Sequence, residues 1–181
     1  MSNKIHEIAS VSITDNIDLV REALAQATEQ ALIAIGTKAE EYVKENMTYN
    51  AIGGASKPPI DTGLLRNSMT YVISGEEAHI KNYKADKGDE SGSYSGTAPQ
   101  TPANTVYVGS NVEYGVFIEE GTGAHASGGK GRKEPWVYTD EKTGKKRVTG
   151  GYPAQHMIRR AVTEHTDEYK QTVKEIFKAN E

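Results

Sequence analysis

Apolar residues recur at steps of three and four from Val20 to Val43, through Leu24, Ala27, Ala31, Ile35, Ala39 and Tyr42. Arg21, Glu22, Gln26, Glu29, Gln30 and Lys38 fall between them. This period predicts one long amphipathic helix, with Thr14 or Asp15 as its N-cap and an end near Met47. So many alanines on its apolar stripe suit close packing against a sheet or a neighbouring subunit. A second stripe closes the chain after Pro153: Met157, Ile158, Ala161, Val162, His165, Tyr169, Val173, Ile176 and Phe177. It predicts a single C-terminal helix.

The pattern between the helices is shorter and mostly of period two. Residues 69–73 and 78–83 predict a hairpin joined by Ser74-Gly75-Glu76-Glu77, and residues 105–108 a third strand. Trp136-Val137-Tyr138 and Arg147-Val148-Thr149 flank a polar tip and predict another hairpin. Residues 49–59 have no period and read as a loop, followed by a short turn or helix at 60–68 that Asp61 or Thr62 can cap. Asn111 is placed to cap a short helix through Phe117 and Glu120, with Gly121 at its C-terminal end in the left-handed region. Residues 86–102 read as a long excursion or a disordered segment, and 121–150 as extended loops around the Trp136 hairpin. Residues 1–14 carry Ile5, Ile8, Val11 and Ile13 and read as a strand or loose arm. Helix, antiparallel strands, helix is an α+β layout, here expected as one domain over 1–181 with a small antiparallel sheet and long loops.

Composition narrows the function. The 181 residues are 36% apolar and 25% charged, with a net charge of −4, which disfavours general nucleic-acid or membrane-surface binding by the whole chain. There are no cysteines, so disulfides, thiolate nucleophiles and cysteine-ligated zinc are excluded. The N-terminus has no apolar run of signal-peptide length, and the expectation is a protein made and kept in a cytoplasm. Charge is unevenly spread: residues 121–150 sum to +4 and the remainder to −8. Lys142, Lys145, Lys146 and Arg147 concentrate at the tip of that segment, as a solvated loop or a contact for DNA phosphates or an acidic neighbour.

Motifs that would carry catalysis are incomplete. Asp61-Thr62-Gly63 matches an aspartic-protease triplet, and a hydrolase using Asp61 is one alternative. That chemistry needs two carboxylates sharing a proton on turns that follow buried strands. Here Pro58-Pro59 leads in, Leu64-Leu65-Arg66 follows, and the second site is missing; a capped turn is the plainer reading. The glycines near Gly129-Lys130 fail as a phosphate loop, since Ala124 stands where the first glycine belongs and Gly131 where a hydroxyl residue should follow. The histidines, His6, His79, His125, His156 and His165, form no metal-binding spacing, and His165 reads as a satisfied core histidine. No cofactor, metal or catalytic residue is expected. Arg66, after two leucines, is expected to be partly buried and to pair with Glu119 or Glu120. A second alternative is a small DNA- or partner-binding module acting through the basic segment at 130–147.

The order of three motifs says more than any one of them. Pro-Ile-Asp-Thr-Gly-Leu-Leu-Arg-Asn-Ser at 59–68, Val-Tyr-Val-Gly-Ser at 106–110 and Tyr-Gly-Val-Phe-Ile-Glu-Glu-Gly-Thr at 114–122 follow one another. Together they resemble the neck and tail-completion family of long-tailed bacteriophages and prophages. That family reads Pro-x-x-Thr-Gly-x-Leu-Arg-x-Ser, a Val-Gly strand end, Tyr-Ala-x-x-x-Glu-x-Gly-Thr, a Trp/Tyr-containing hairpin and a proline-led last helix. Ala-Ile-Gly-x-x-Ala-Glu-x-Tyr at 34–42 fits its first helix, and the resemblance runs from about residue 15 to 178. Gly115 replaces the usual alanine, and Gln155-His156-Met157 replaces a Pro-Phe pair, which bears on how the last helix docks. The resemblance implies a virion protein made in the bacterial host cytoplasm. It would be a ring oligomer at the head–tail connector or upper tail that contacts copies of itself, neighbouring connector and tail proteins and channel DNA, with no membrane, cofactor or catalysis. The residues it marks for folding or interfaces are Thr62, Gly63, Leu65, Arg66, Tyr114, Glu119, Glu120, Gly121 and Trp136, with the basic tip residues beside them.

Overall fold

The computed structural model describes residues 15–49, 61–76, 79–141 and 143–180. The arm at 1–14, Thr14 as a cap, most of the 49–59 loop and Lys142 lie outside them. The fold is α+β. Helix α1, Ile17–Tyr49, runs 33 residues, about 50 Å at 1.5 Å per residue. Asp15 caps it, its carboxylate accepting the Ile17 N–H at 2.8 Å.

The strands form three separate two-stranded antiparallel ribbons. Strand β1, Thr70–Ile73, pairs with β4, Val106–Gly109; β2, His79–Lys84, pairs with β3, Ser91–Gly96; β5, Trp136–Thr139, pairs with β6, Lys146–Thr149. The hairpin expected between residues 69–73 and 78–83 is therefore replaced by two other pairings. Residues 86–102, expected to be an excursion, supply β3. Its Ser-Gly-Ser-Tyr-Ser-Gly sequence has poor strand propensity, but the glycines make room for rings. Gly92 lies opposite Tyr83, and a Cβ there would meet that ring at 2.5–2.8 Å. His79, Lys81 and Tyr83 alternate inward with Gly92, Tyr94 and Gly96.

Short helix α2, Leu64–Ser68, precedes β1, and α3, Gly115–Glu120, follows β4. The expected C-terminal helix is two: α4, Met157–Glu164, and α5, Thr166–Ala179. His165 breaks them at φ −108°, ψ 14°. It is half-buried rather than a core residue, stacked on Tyr42 with ring centroids 3.4 Å apart. The core collects Val43 and Met47 of α1, Leu65 of α2, Met69, and Met157 and Ala161 of α4. Helix α5 runs along α1, from Lys38 and Tyr42, which bond Glu168, to Gln30, which bonds Asn180 at 3.4 Å. Among the described residues no helix is long and apolar enough to cross a membrane.

Candidate functional site

The first motif builds a clasp. Gly63 sits at φ 85°, ψ −4°, and a Cβ added there would land on the Asp86 carboxylate. The freedom of glycine lets the Thr62 carbonyl accept the N–H groups of Asp86 at 2.8 Å and Lys87 at 3.2 Å. Arg66 Nη2 then donates to Asp86 Oδ2 at 2.6 Å, and Asn67 Nδ2 donates to Asp86 Oδ1 at 2.9 Å and to the Lys84 carbonyl at 2.8 Å. The partner of Arg66 is thus Asp86, in place of Glu119 or Glu120. The pair is half-buried, and the packing of α2 on β2 is what brings Asp86, just past that strand, to Arg66. The Thr62 hydroxyl donates to Glu90 Oε2 at 3.2 Å and accepts the Leu64 N–H only at 3.4 Å, so the N-cap position of α2 belongs to Gly63.

The second and third motifs meet the first through the core. Leu65 is buried, and a Cβ on Gly115 would stand 2.9 Å from its Cδ1, which gives the glycine inside α3 a packing reason. The Ser68 hydroxyl donates to the Leu65 carbonyl at 2.7 Å and lies 2.6 Å from the Ser110 hydroxyl. Tyr114, at the start of α3, keeps its ring partly exposed; burial of its phenol and the nearby Glu90 raise its pKa above the ordinary tyrosine value. Asn111, expected to cap α3, instead ties ribbon to loop: it accepts from the Tyr83 phenol at 2.8 Å and donates to the Ser93 carbonyl at 2.9 Å.

The end of the third motif holds the start of α4. Both Glu119 oxygens accept N–H groups of its first turn, from Ile158 at 3.0 Å and Arg159 at 2.9 Å, while Glu120 pairs with Arg159 at 2.9 Å. A carboxylate there satisfies orphan donors and favours the positive end of the helix dipole. Main-chain bonds continue the join, Gln155 N–H to Ile118 O at 3.0 Å, His156 N–H to Glu119 O at 3.1 Å and Thr122 N–H to Tyr152 O at 2.8 Å. Gly121 adopts φ 73°, ψ 176°, outside the left-handed helical well but equally closed to other residues. A Cβ would meet Ala154 N at 2.6 Å and His125 O at 2.8 Å.

Histidine spacing along the chain gave no sign of one cluster. His156 comes beside Glu119 and Glu120, with one nitrogen or oxygen from each within 4.8 Å of the others, a spacing a divalent cation can bridge. The Glu119 oxygens are already spent on α4 and Glu120 on Arg159, so the arrangement serves first as a helix cap. Asp61 is exposed on its turn.

The basic segment forms the β5–β6 hairpin as expected. Its tip closes through Gly144 N–H to Asp140 O at 2.7 Å, and Arg147 pairs with Asp140 at 2.8 Å. Lys145, Lys146 and Arg147 are exposed. Trp136 is half-buried at the base, with the Arg132 guanidinium 5.9 Å above its ring. Tyr138 stays exposed. Comparison with protein-family models, curated proteins and solved structures finds no match.

Proposed function

We propose that this chain is a structural component of a tailed-bacteriophage or prophage virion, forming part of an oligomeric ring at the neck or upper tail. The observation that carries the reading is how the motif residues are used. Thr62, Gly63 and Arg66 close on Asp86, Leu65 packs under Gly115, and Glu119 and Gly121 seat α4. The ordered motifs that resemble the neck family are thus spent largely on joining helices to ribbons, and several apolar residues elsewhere stand exposed. Ile17, Leu19, Val20 and Leu24 on α1, Val116 and Phe117 on α3, and Val137 and Val148 on the hairpin are all more than half exposed. Scattered exposed apolar residues are ordinary, whereas several grouped on three elements favour contacts with other chains. The proposal assigns the protein no catalysis and no cofactor, and places it in the virion after synthesis in the host cytoplasm.

The test is genetic and compositional. Mass spectrometry of purified particles should find the chain in the virion. A nonsense mutation in its gene should leave filled heads and separate tails that do not join. Particles that lack the protein, or that mature normally without it, would overturn the reading.

A further inference from the structure

The β5–β6 hairpin has two unlike faces. Register pairs Val137 with Val148 and Thr139 with Lys146, while Trp136–Thr149 and Tyr138–Arg147 alternate with them. Trp136 turns toward the glycine turn at Gly123. Val137 and Val148 turn away from the body and are 61% and 71% exposed. A cross-strand valine pair gains stability by being covered, and among the described residues nothing covers it.

A surface of matching character lies elsewhere. Between the end of β4, α3 and the start of α4 runs a groove of about 400 Å³, lined by the apolar side chains of Met69, Val112, Val116 and Ile158 and by Glu113, with Glu120 beside them already paired to Arg159. Val116 is 56% exposed at its edge. The hairpin segment is the basic part of an acidic chain, +4 against −8 for the remainder, and Lys146 sits on the same face as the valines. Apolar face meets apolar lining, and Lys146 meets Glu113. Because the two surfaces differ and belong to the same sequence, their pairing is head-to-tail, the kind of contact that closes a ring or propagates a filament.

We propose that the Val137–Val148 face of the hairpin of one chain docks into the α3 groove of a second copy. This deepens the proposed function, resting on it only in taking the chain to assemble with itself.

Complementation tests the contact directly. Val148→Asp spoils the hairpin and leaves the groove; Val116→Asp spoils the groove and leaves the hairpin. Both positions are exposed, and circular dichroism should confirm unchanged folding. In sedimentation equilibrium the wild type should associate with rising concentration, and each variant should do so at least about ten-fold more weakly. An equimolar mixture of the two should recover a heterodimer and stop there, since one intact hairpin and one intact groove remain. Lys146→Glu should weaken association, and adding Glu113→Lys should restore it. As a check that does not depend on the aspartates, Val148→benzoylphenylalanine should photocrosslink to the peptide carrying Val116 of a second chain.

A wild type that stays monomeric, variants that associate normally, a mixture that recovers nothing, or crosslinks elsewhere would each overturn the proposal. So would binding of a short labelled DNA duplex that is lost in Lys145→Glu/Lys146→Glu but indifferent to Val148→Asp, which would make the hairpin a nucleic-acid contact. Presence in virions is measured separately, so this interface can fail while the phage reading stands.

Discussion

Two hairpin ribbons, one of six residues per strand and one of four, meet very different fates in this molecule. The β2–β3 ribbon is tied to the body along its inner face. Lys81 donates to Glu40 at 2.6 Å and to the Met69 carbonyl, Tyr83 to Asn111, and Asp86 at its end is gripped by Arg66 and Asn67. Burial works against ionisation of Glu40, but hydrogen bonds and charge from Lys44 and Lys81 outweigh it and hold that carboxyl below its usual range. The β5–β6 ribbon has a half-buried Trp136 at its base, an internal Arg147–Asp140 pair, and its valine face in solvent. A lone two-stranded hairpin is marginal in water; the first ribbon is anchored along its length, and the second is held chiefly at its base.

The largest expected effect comes from breaking the first ribbon at its grip. Gly63→Ala combines a positive φ with a collision against Asp86 and should cost about 3 kcal/mol. Gly144→Ala at the tip of the second ribbon has a similar φ of 66° but open space around it, and should cost only about 1 kcal/mol. Thermal or urea unfolding of the pair separates the two. Equal losses would mean that the clasp around Asp86 adds nothing beyond backbone conformation.

Limited trypsin digestion sharpens the contrast without mutation. Cleavage after Lys145, Lys146 and Arg147 should run about ten-fold faster than after Lys81 or Lys84, because local opening of a ribbon with fewer ties costs less. Assembly with further copies should slow the first set and leave the second unchanged. Comparable rates at both ribbons in the isolated chain would show that β5–β6 is as firmly held as β2–β3.

Arg66→Ala should have a smaller effect, about 1 kcal/mol, since its side chain is 28% exposed and that of Asp86 44%, and half-exposed pairs are screened. A fully buried pair would cost about 3–5 kcal/mol on losing one partner. Differential scanning calorimetry of Arg66→Ala beside Lys84→Ala gives the value. A loss near the buried figure would mean that the guanidinium supports packing of α2 as well as the charge pair.

What could be read from the chain, and what could not, follows the same division. The α1 period, the basic hairpin and the strand at Val106–Gly109 were legible because each carries its own local pattern. Strand β3 was not: serine and glycine there form a strand because Tyr83 supplies a ring to cover Gly92 from across the ribbon. Nor was the partner of Arg66, since Asp86 lies 20 residues away in sequence and is brought to it by the turn at Gly63. The stripe of the last helix ran unbroken through His165, where stacking on Tyr42 stabilises a change of direction that periodicity does not register. Even a correct stripe left one question open. Val43 and Met47 in the second half of α1 are buried, whereas Ile17, Leu19, Val20 and Leu24 in the first half are exposed. A three-four repeat shows that a face is apolar and is silent on whether its cover comes from the same chain.

That covered half of α1 supplies the smallest expected effect, a dependence on acid. Glu168 of α5 accepts from Lys38 at 2.6 Å and from the Tyr42 phenol, which fastens α5 to the part of α1 that also holds the core. The Lys38 bond, then that of Tyr42, bring the Glu168 carboxyl from 4.5 down to about 2, while Glu168 pushes the Tyr42 phenol upward. A carboxyl depressed on folding favours the folded state when ionised. Its contribution is complete above pH 4.5, declines as the pH falls below that, and is gone once the pH passes below about 2. Glu168→Gln removes the titration. The melting temperature of the wild type should therefore exceed that of Glu168→Gln at neutral pH, and the gap should close steadily toward pH 2. Glu168 is solvent-exposed, so the gap should be modest and should shrink in high salt. Lys38→Met should narrow it at neutral pH in the same way, by removing the group that contributes most. A gap that holds constant through the acid range would mean that Glu168 contributes through packing alone, and that the junction of α1 with α5 rests on the stacking of Tyr42 and His165.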